Sequence, residues 1–245
     1  MPALHRVPRL YHPGPLGAGT DVALTPEQVH YLKNVLRLDE GGAVRLFNGD
    51  EGEWLCSIIA LGKKKGTARC EDNLARPTPP PDIDYVFAPL KSARLDYVAQ
   101  KATEMGARRL RPVITRHTVV RKVNTRKLVA NAIEAAEQCN LVFVPEVLEA
   151  QPLERLLADW DETRHIVHGD EAAPIADPLS ALAEVPAGPL AVLVGPEGGF
   201  APEERAMLRR LPFVHPVRLG PRIMRADTAG VALMALVQAV LGDWT

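Results

Sequence analysis

From residue 85 onward, the hydrophobic and polar positions follow two alternating patterns, one typical of buried strands and the other of amphipathic helices. Short apolar runs predict strands at residues 85–90, 110–115, 165–168, 190–195 and 214–219. Apolar residues three or four positions apart predict helices at residues 95–105, 125–139, 202–211 and 226–241. Strands that alternate with helices are typical of an α/β domain, and we expect a largely parallel sheet.

Residues 1–75 show a different pattern, with strand-like segments that follow one another directly. We expect strands at residues 43–48, 53–61 and 67–71, separated by turns that contain glycine. Thr25 followed by Pro26 is typical of a helix start, and we expect this helix to continue to Arg37. Residues 1–75 are therefore interpreted as a small barrel-like β domain.

A proline-rich segment separates the two patterns. Residues 76–82 read RPTPPPD, and such a run of prolines cannot join a helix or a central strand. We therefore divide the chain into a β domain at residues 1–75, a linker at residues 76–84 and an α/β domain at residues 85–245.

Composition supports a globular protein and argues against several other classes. The chain has 245 residues, of which 47% are hydrophobic, and this is enough for ordinary cores. No apolar run reaches the roughly 18 residues that span a bilayer, and prolines interrupt residues 1–20, where a secretory leader would lie. The three cysteines form no C-x-x-C pair. We expect a cytoplasmic protein with no membrane segment and no metal site.

The formal net charge of −1 conceals two strongly charged segments. Residues 85–130 contain 11 lysines and arginines against two acidic residues, whereas residues 131–185 contain two basic and 12 acidic residues. The basic segment could attract a polyanion such as nucleic acid through phosphate contacts. It could equally pair with the acidic segment, within one chain or across a dimer, and charge alone leaves both interpretations open.

Two loops follow predicted strands and carry the residues with most chemical interest. Residues 195–200 read GPEGGF and connect a buried strand to a helix, and in open α/β sheets ligands bind beside such loops. The loop matches neither the dinucleotide nor the P-loop phosphate pattern. Residues 219–225 read LGPRIMR and place two arginines, Arg222 and Arg225, before the last helix. We interpret the two loops together as a candidate nucleotide-type pocket.

These loops carry a resemblance to a known family. Residues 194–200 (VGPEGGF) with Glu203 or Glu204 after them, and residues 219–225 with Thr228 and Ala229, resemble the RsmE family. Its members are ribosomal RNA small subunit methyltransferases of the SPOUT superfamily. Further matching positions lie upstream: His30, residues 35–37, Lys91, Arg94, Asp96, residues 100–106, Arg111, Pro112 and residues 134–139. The resemblance spans nearly the whole chain.

The resemblance implies a fold, a cofactor and an assembly. It implies a PUA-like β-barrel RNA-binding domain, followed by a SPOUT α/β domain whose carboxyl-terminal segments form a trefoil knot. It implies S-adenosyl-L-methionine as the cofactor and a homodimer in which each site borrows residues from the partner. Carried over by position, the cofactor-binding residues would be Val194, Gly195, Glu197, Gly199, Leu219, Gly220, Ile223 and Met224.

The reaction implied is methylation of N3 of a specific uridine, position 1498 in the usual numbering, of 16S ribosomal RNA in the small ribosomal subunit. Uracil N3 becomes nucleophilic only after it loses its proton, so the site should stabilise negative charge on the ring, and a guanidinium suits this task. We expect Arg225 to fill this role, with Arg222 as the weaker candidate. The base stays open, with Glu197 one possibility, and we expect His117 and His168 to be structural.

N3 lies on the pairing edge of the base, so the uridine must be unpaired or extruded before it reacts. Candidates for holding the surrounding RNA are Arg6, Arg9, Arg37, Lys91, Arg94 and Lys101.

Three alternative functions remain open: an RNA-binding protein without catalysis, a SPOUT enzyme that methylates another RNA, such as a transfer-RNA ribose, and, more remotely, a dinucleotide-dependent oxidoreductase.

Overall fold

A computed structural model describes residues 4–244 and divides the chain into two compact units. The first unit extends to Pro79 and also includes Ala136–Val144, and the second comprises Pro80–Ala135 and the chain from Pro145 onward.

The first unit is built around a five-stranded sheet. After a 3-10 helix at Leu4–Arg6, its strands are β1 (Arg9–Tyr11), β2 (Asp21–Leu24), β3 (Ala43–Asn48), β4 (Gly52–Leu61) and β5 (Gly66–Ala75). The strand order is β1-β3-β4-β5-β2, with β1 parallel to β3 and the other pairs antiparallel. The three strands expected at residues 43–71 are present. Strands β1 and β2 were not expected, because each has only three or four residues.

The expected helix after Thr25 begins there but is shorter and less regular than its sequence suggested. Helix α1 spans Pro26–His30 and continues as a π-helical turn over Tyr31–Val35. The Thr25 hydroxyl accepts a hydrogen bond from the Gln28 N–H (3.2 Å), while the Gln28 side chain accepts one from the Thr25 N–H (2.9 Å). Arg37, which we expected within this helix, has a φ of 56°, so regular helix ends before it.

The second unit contains a seven-stranded parallel sheet covered by helices. Its elements are β6 (Ile83–Phe87), α2 (Ala93–Glu104), β7 (Arg109–Ile114), α3 (Thr125–Gln138), β8 (Glu146–Val147), β9 (Gln151–Pro152), α4 (Leu153–Ala158), β10 (His165–Gly169), α5 (Pro178–Ala183), β11 (Leu190–Val194), α6 (Pro202–Leu208), β12 (Val214–Val217) and α7 (Ala226–Leu241). The strand order is β12-β10-β11-β6-β7-β8, and β9 also pairs with β7. Every pair is parallel, which confirms the predicted α/β class.

The central strands are buried over their whole length, and this explains why continuous apolar runs revealed them. All five residues of β11 and all five of β6 are buried. Strand β6 starts at Ile83, inside the range that we assigned to the linker, because Ile83 pairs with Leu190 of β11 directly after the proline run ends. The trefoil knot that the resemblance implies stays a prediction.

A group of ion pairs lies at the amino edge of this sheet. Asp84, fully buried on β6, lies 2.6 Å from the Nε atoms of both Arg109 and Arg111 on β7. Arg164, just before β10, lies 2.9 Å from Asp82. Part of the basic segment at residues 85–130 is therefore ion-paired inside the second unit, next to the strand starts, where Asp82 and Asp84 together serve four arginines.

Candidate active site

A cavity of about 280 Å³ opens at the carboxyl edge of the parallel sheet. Three loops form its walls: residues 168–171 at the end of β10, residues 194–200 after β11 and residues 217–226 between β12 and α7. Ala229 and Leu233 of α7 close one side. Because parallel strands end at one edge, loops that are distant in sequence meet there, and this is where open α/β sheets bind ligands.

The structure brings all eight predicted cofactor-binding residues to this cavity. They are Val194, Gly195, Glu197, Gly199, Leu219, Gly220, Ile223 and Met224. Ile223 is 93% exposed, so it stands at the open side. The two loops that the sequence singled out are therefore adjacent in space.

The first loop needs its glycines. A Cβ atom on Gly195 would lie 2.6 Å from a ring carbon of Phe200, and Gly199 has a φ of +67°, which favours glycine. The Phe200 ring packs edge-on against His168, with 5.0 Å between ring centroids. The loop thus bends back on its own aromatic residue and leaves backbone atoms at the cavity wall.

His117 and Glu204 make hydrogen bonds that fix the glycine loop and the residues next to it. The Nδ1 atom of His117, which follows β7, lies 3.0 Å from the Gly199 carbonyl oxygen and 3.2 Å from that of Gly198, so Nδ1–H donates to them. The buried Glu204 carboxylate accepts hydrogen bonds from the N–H groups of Arg116 and Ala201, both at 2.8 Å. His117 therefore has a structural contact, as the sequence suggested, and this contact reaches the site.

The two candidate catalytic arginines occupy different positions. Arg222 lines the cavity and is exposed. Arg225 is not among the lining residues; it directly precedes α7, its side chain is 65% exposed, and its Nη2 lies 3.5 Å from an Asp227 oxygen. Asp227, in the first turn of α7, is buried.

Arg94, at the start of α2, joins two parts of the site. Its guanidinium forms an ion pair with Glu197 of the first loop and lies 3.8 Å from Asp227. Glu197 and Asp227 are 30 positions apart, so no local pattern relates them. Arg94 therefore holds the glycine loop and the start of α7 together, a role that differs from the RNA contact predicted for it.

The third loop of the cavity was missed by sequence reasoning. Asp170 is buried and receives a hydrogen bond from Arg209 (2.9 Å), and Glu171 pairs with Arg205. Burial alone would raise the pKa of Asp170, but hydrogen bonds from the Ala172 N–H and the Arg209 guanidinium outweigh it, and the pKa is lowered. A signal was available, since polar residues follow a predicted strand here, at the same edge as the other two loops.

His168 stands at the base of this third loop. It is 2% exposed, and its Nδ1 has no hydrogen-bond partner among the described residues. Burial, which disfavours the charged ring, lowers the pKa of His168 to about 4, despite the nearby Asp170 carboxylate. The ring is therefore neutral at physiological pH.

The six candidate RNA contacts fall into two groups. Arg6, Arg37 and Lys91 are exposed and form no ion pair with any residue that the structure describes. Arg9, Arg94 and Lys101 are engaged. Arg9 is 7% exposed, lies 2.8 Å from Glu53 and donates to the carbonyl oxygens of Ala136 and Leu141 within the first unit. Lys101 pairs with Glu104 at 2.7 Å.

Between residues 4 and 244, no helix is long and apolar enough to cross a membrane. Over the same residues, no three His, Cys, Asp or Glu side chains group as metal ligands would.

Two family models match the chain. The model of an RNA methyltransferase domain matches residues 77–238, and that of an RNA methyltransferase PUA domain matches residues 24–69. A ribosomal RNA small subunit methyltransferase E from Rickettsia conorii is 30% identical over 233 residues, 94% of each chain. One from Bacillus subtilis is 28% identical over 227 residues, 88% of each chain.

A solved structure has the same fold. A ribosomal RNA small subunit methyltransferase E from Neisseria gonorrhoeae, bound to S-adenosyl methionine, is 27% identical and covers 98% of this chain and 100% of its own, with a TM-score of 0.88. A parallel sheet with a cavity at its carboxyl edge, together with the family matches, defines an RNA methyltransferase. More narrowly, the chain belongs to the RsmE family of ribosomal RNA small subunit methyltransferases, as the resemblance implied.

Proposed function

We propose that the cavity binds S-adenosyl-L-methionine and that the protein transfers the methyl group of this cofactor to 16S ribosomal RNA. The observation that carries the proposal is the meeting of all eight predicted cofactor residues at one cavity. The glycine loop also suits a bound ligand, since the Phe200 ring packs where a Cβ on Gly195 would lie and the loop bends so that Glu197, Gly198 and Gly199 line the cavity. The Neisseria gonorrhoeae relative, similar over its full length, is bound to S-adenosyl methionine.

The charges of the cavity suit this cofactor. The cofactor carries a positive sulfonium centre, which makes its methyl group an electrophile without further activation. Glu171 and Glu197 place carboxylate oxygens in the cavity wall, where they can face a positive centre, although each also pairs with an arginine, Arg205 and Arg94 respectively. The protein then has to align the acceptor atom and exclude water, a task that the packed base of the cavity around Leu233 and Phe200 supports.

The proposed acceptor is N3 of one specific uridine in the small ribosomal subunit. N3 gives its proton to a base, and its lone pair then forms the new bond to the methyl carbon as the carbon–sulfur bond breaks. The electron pair of that bond stays on sulfur, so the cofactor leaves as a neutral thioether and the negative charge of the ring is neutralised. Arg222 at the cavity and Arg225 beside Asp227 are the guanidinium groups available to stabilise the ring before transfer. Glu197 stays one possible base, although it is paired with Arg94.

The proposal includes a homodimer and an RNA surface. From Thr228 to Gly242, helix α7 carries no charged residue, and part of its outer face is small and apolar: Val231, Ala232, Ala235 and Ala239. A second copy could cover this face. Arg6, Arg37 and Lys91 are exposed and form no ion pair within residues 4–244, so they suit phosphate contacts, whereas Arg9, Arg94 and Lys101 are engaged. Because small ribosomal subunits reside in the cytoplasm, the proposal places the protein there.

One experiment tests this function. The purified protein is incubated with methyl-labelled S-adenosylmethionine and either small ribosomal subunits that lack the mark or naked 16S ribosomal RNA, and the labelled nucleoside is mapped by mass spectrometry. We expect 3-methyluridine at one position. A label on a ribose oxygen or on transfer RNA would favour a different SPOUT activity, and a protein that binds RNA but not the cofactor in calorimetry would be a catalytically silent binding module.

A further inference from the structure

The cations of the basic segment, residues 85–130, divide into two groups by their position in the sheet. At the amino edge, Arg108 lies 3.3 Å from Asp82, and Arg109 and Arg111 lie 2.6 Å from Asp84. Each of these arginines therefore has a carboxylate partner, although the same two aspartates also pair with Arg164. The sequence could not separate these arginines from the rest of the segment, because their partners lie 25 to 27 positions away.

The loop between β7 and α3 lies at the opposite, carboxyl edge and has different electrostatics. Its exposed cations are Arg116, Arg121 and Lys122, with Arg126 following in the first turn of α3. None of these four forms an ion pair with any residue between 4 and 244. Lys127, one residue further on, differs because it lies 2.6 Å from Asp96.

Nothing in the nearby sequence compensates this charge. No aspartate or glutamate occurs between residues 105 and 133. Two carboxylates come near: Glu149 accepts a hydrogen bond from the Thr125 hydroxyl at 3.0 Å, and Glu204 accepts one from the Arg116 N–H at 2.8 Å. Neither forms an ion pair with any of the four cations. Four like charges within 11 residues repel one another, and a bound polyanion relieves that repulsion.

The loop is fixed at the rim of the cavity. His117 bonds to the carbonyl groups of Gly198 and Gly199, both of which line the cavity, and Val123 packs against the core of the second unit. Three residues separate His117 from Arg121, so the Cα atoms of these two residues lie no more than about 14 Å apart.

The first turn of α3 adds to the same field. This helix has 14 residues, and the Asn124 side chain in the preceding loop already accepts a hydrogen bond from the Lys127 N–H at 3.2 Å, so the helix terminus contributes its dipole and not that N–H group. A helix amino terminus carries about half a positive charge, which favours a phosphate at this place. The loop cations and the helix terminus therefore attract the same kind of ligand.

We propose that residues 116–126, here called the rim loop, form a phosphate-binding surface for the RNA strand on either side of the methylated nucleotide. The inference rests on the proposed function, since it places the target base in the cavity and its flanking phosphates on Arg121 and Lys122. The contacts are electrostatic and read no base identity. The rim loop thus adds Arg116, Arg121, Lys122 and Arg126 to the predicted RNA contacts. These residues replace Arg94 and Lys101, which form ion pairs within the protein, as the predicted phosphate contacts of the basic segment.

The test compares charge-removing and charge-preserving variants. Arg121→Ala/Lys122→Ala removes two cations, while Arg121→Lys/Lys122→Arg keeps both. Arg210→Ala is the matched control, because Arg210 is exposed, forms no ion pair among the described residues and follows α6 at the amino edge. Binding of each protein to unmethylated small ribosomal subunits is measured over a salt series, alongside S-adenosylmethionine binding by calorimetry and sedimentation of the free protein.

We expect the alanine double variant to bind subunits about tenfold more weakly at 0.1 M salt. The slope of log affinity against log salt concentration should be shallower by about 1.4, since each of the two lost phosphate contacts removes about 0.7 from it. Cofactor affinity should be unchanged, and the charge-preserving and Arg210 variants should match the wild type. An unchanged salt slope would overturn the inference. A variant that differs from the wild type only in its sedimentation coefficient would also overturn it, because the rim loop would then bind a second copy of the chain and not RNA.

This design separates the inference from the proposed function. If the wild type leaves uridine N3 unmethylated but the rim-loop variant still loses affinity and slope, the assigned reaction fails and the phosphate surface stands. If the wild type methylates uridine N3 and the variant keeps its affinity, slope and KM for subunits, the reaction stands and the phosphate surface is wrong.

Discussion

Arg222 and Arg225 flank the second loop of the cavity and differ in what they reach. Arg222 lines the cavity, whereas Arg225 lies beside Asp227. We expect Arg222→Ala and Arg225→Ala each to lower kcat/KM for subunits, and the variant that lacks the charge facing the uracil should lose about 100-fold in kcat. Loss of an arginine that only holds RNA should instead raise the KM for subunits and leave kcat nearly intact. Single-turnover rates with labelled cofactor distinguish the two.

One result would contradict this role for both arginines. If both alanine variants keep the wild-type kcat and KM, neither guanidinium stabilises the reacting base, and the positive charge that stabilises the ring must come from another group. Arg222→Lys and Arg225→Lys provide the matched controls, because lysine keeps the charge but loses the planar geometry of arginine.

Arg94 makes a second prediction at this scale. Its ion pairs with Glu197 and Asp227 join the glycine loop to the start of α7, and Asp227 is buried. Arg94→Gln should therefore weaken S-adenosylmethionine binding about fivefold, in line with a partly exposed ion pair worth up to about 1 kcal/mol. Calorimetry measures this directly. Lys127→Gln, which breaks an ion pair away from the cavity, should leave cofactor affinity as it is; equal losses in both variants would indicate general loosening instead.

At the scale of elements, the glycine loop shows how a tight turn positions a strand end. The Cβ atom in Gly195→Ala would lie 2.6 Å from the Phe200 ring, closer than packed atoms tolerate, so the ring or the backbone must move. We expect cofactor affinity to fall at least about tenfold, because 1.4 kcal/mol of strain suffices for that factor. Gly49→Ala is the control, since the nearest neighbour of its Cβ would be 4.0 Å away. Unchanged cofactor binding in Gly195→Ala would contradict this account.

The elements that sequence predicted well are those whose burial is uniform. Strands β6 and β11 and helix α7 are recognisable because their apolar residues are continuous or regularly spaced. Strands β8 and β9 have two residues each, and helices α4 and α5 have six, so none is long enough to show a period. Their positions depend on pairing with β7 and on packing, which no local pattern contains.

The loops of the candidate site also differ in how far the sequence could predict them. The first two loops were predictable because glycines and arginines stand in recognisable patterns after buried strands. The third loop, with Asp170 and Glu171, has no such pattern, and only the shared carboxyl edge of the sheet indicates it. Arg9 and Arg94 form ion pairs with residues 30 or more positions away along the chain. No local pattern in the sequence reveals such distant partners, and for this reason both were predicted to be available for RNA.

At the scale of the whole molecule, charge is distributed unequally over the two edges of the parallel sheet. Each arginine of residues 108–111 has an aspartate partner at the amino edge, whereas at the cavity edge Arg116, Arg121 and Arg222 form no ion pair with any residue between 4 and 244. A net charge of −1 therefore says little about the field near the site. Such a local positive field accelerates the approach of RNA and becomes weaker as salt is added.

Acid should destabilise the second unit through His168. Burial lowers the pKa of His168 to about 4, whereas in the unfolded chain it has its ordinary value near 6.5. Between these values the unfolded chain binds a proton that the folded protein does not, so the free energy of unfolding falls as pH decreases from 6.5 toward 4. From pH 7 to pH 5 the loss is about 2 kcal/mol.

The measurement is urea unfolding at pH 7 and pH 5 for the wild type and for His168→Phe, which fills the same space beside Phe200 but does not titrate. Phenylalanine changes the baseline stability at both pH values, so the informative quantity is the difference between the two proteins and its change with pH. Between pH 7 and pH 5, the free energy of unfolding of the wild type should fall by more than that of His168→Phe. If the two proteins lose equal amounts between pH 7 and pH 5, His168 takes up its proton as readily in the folded protein as in the unfolded chain, and the apolar surroundings of the cavity base do not disfavour its charge.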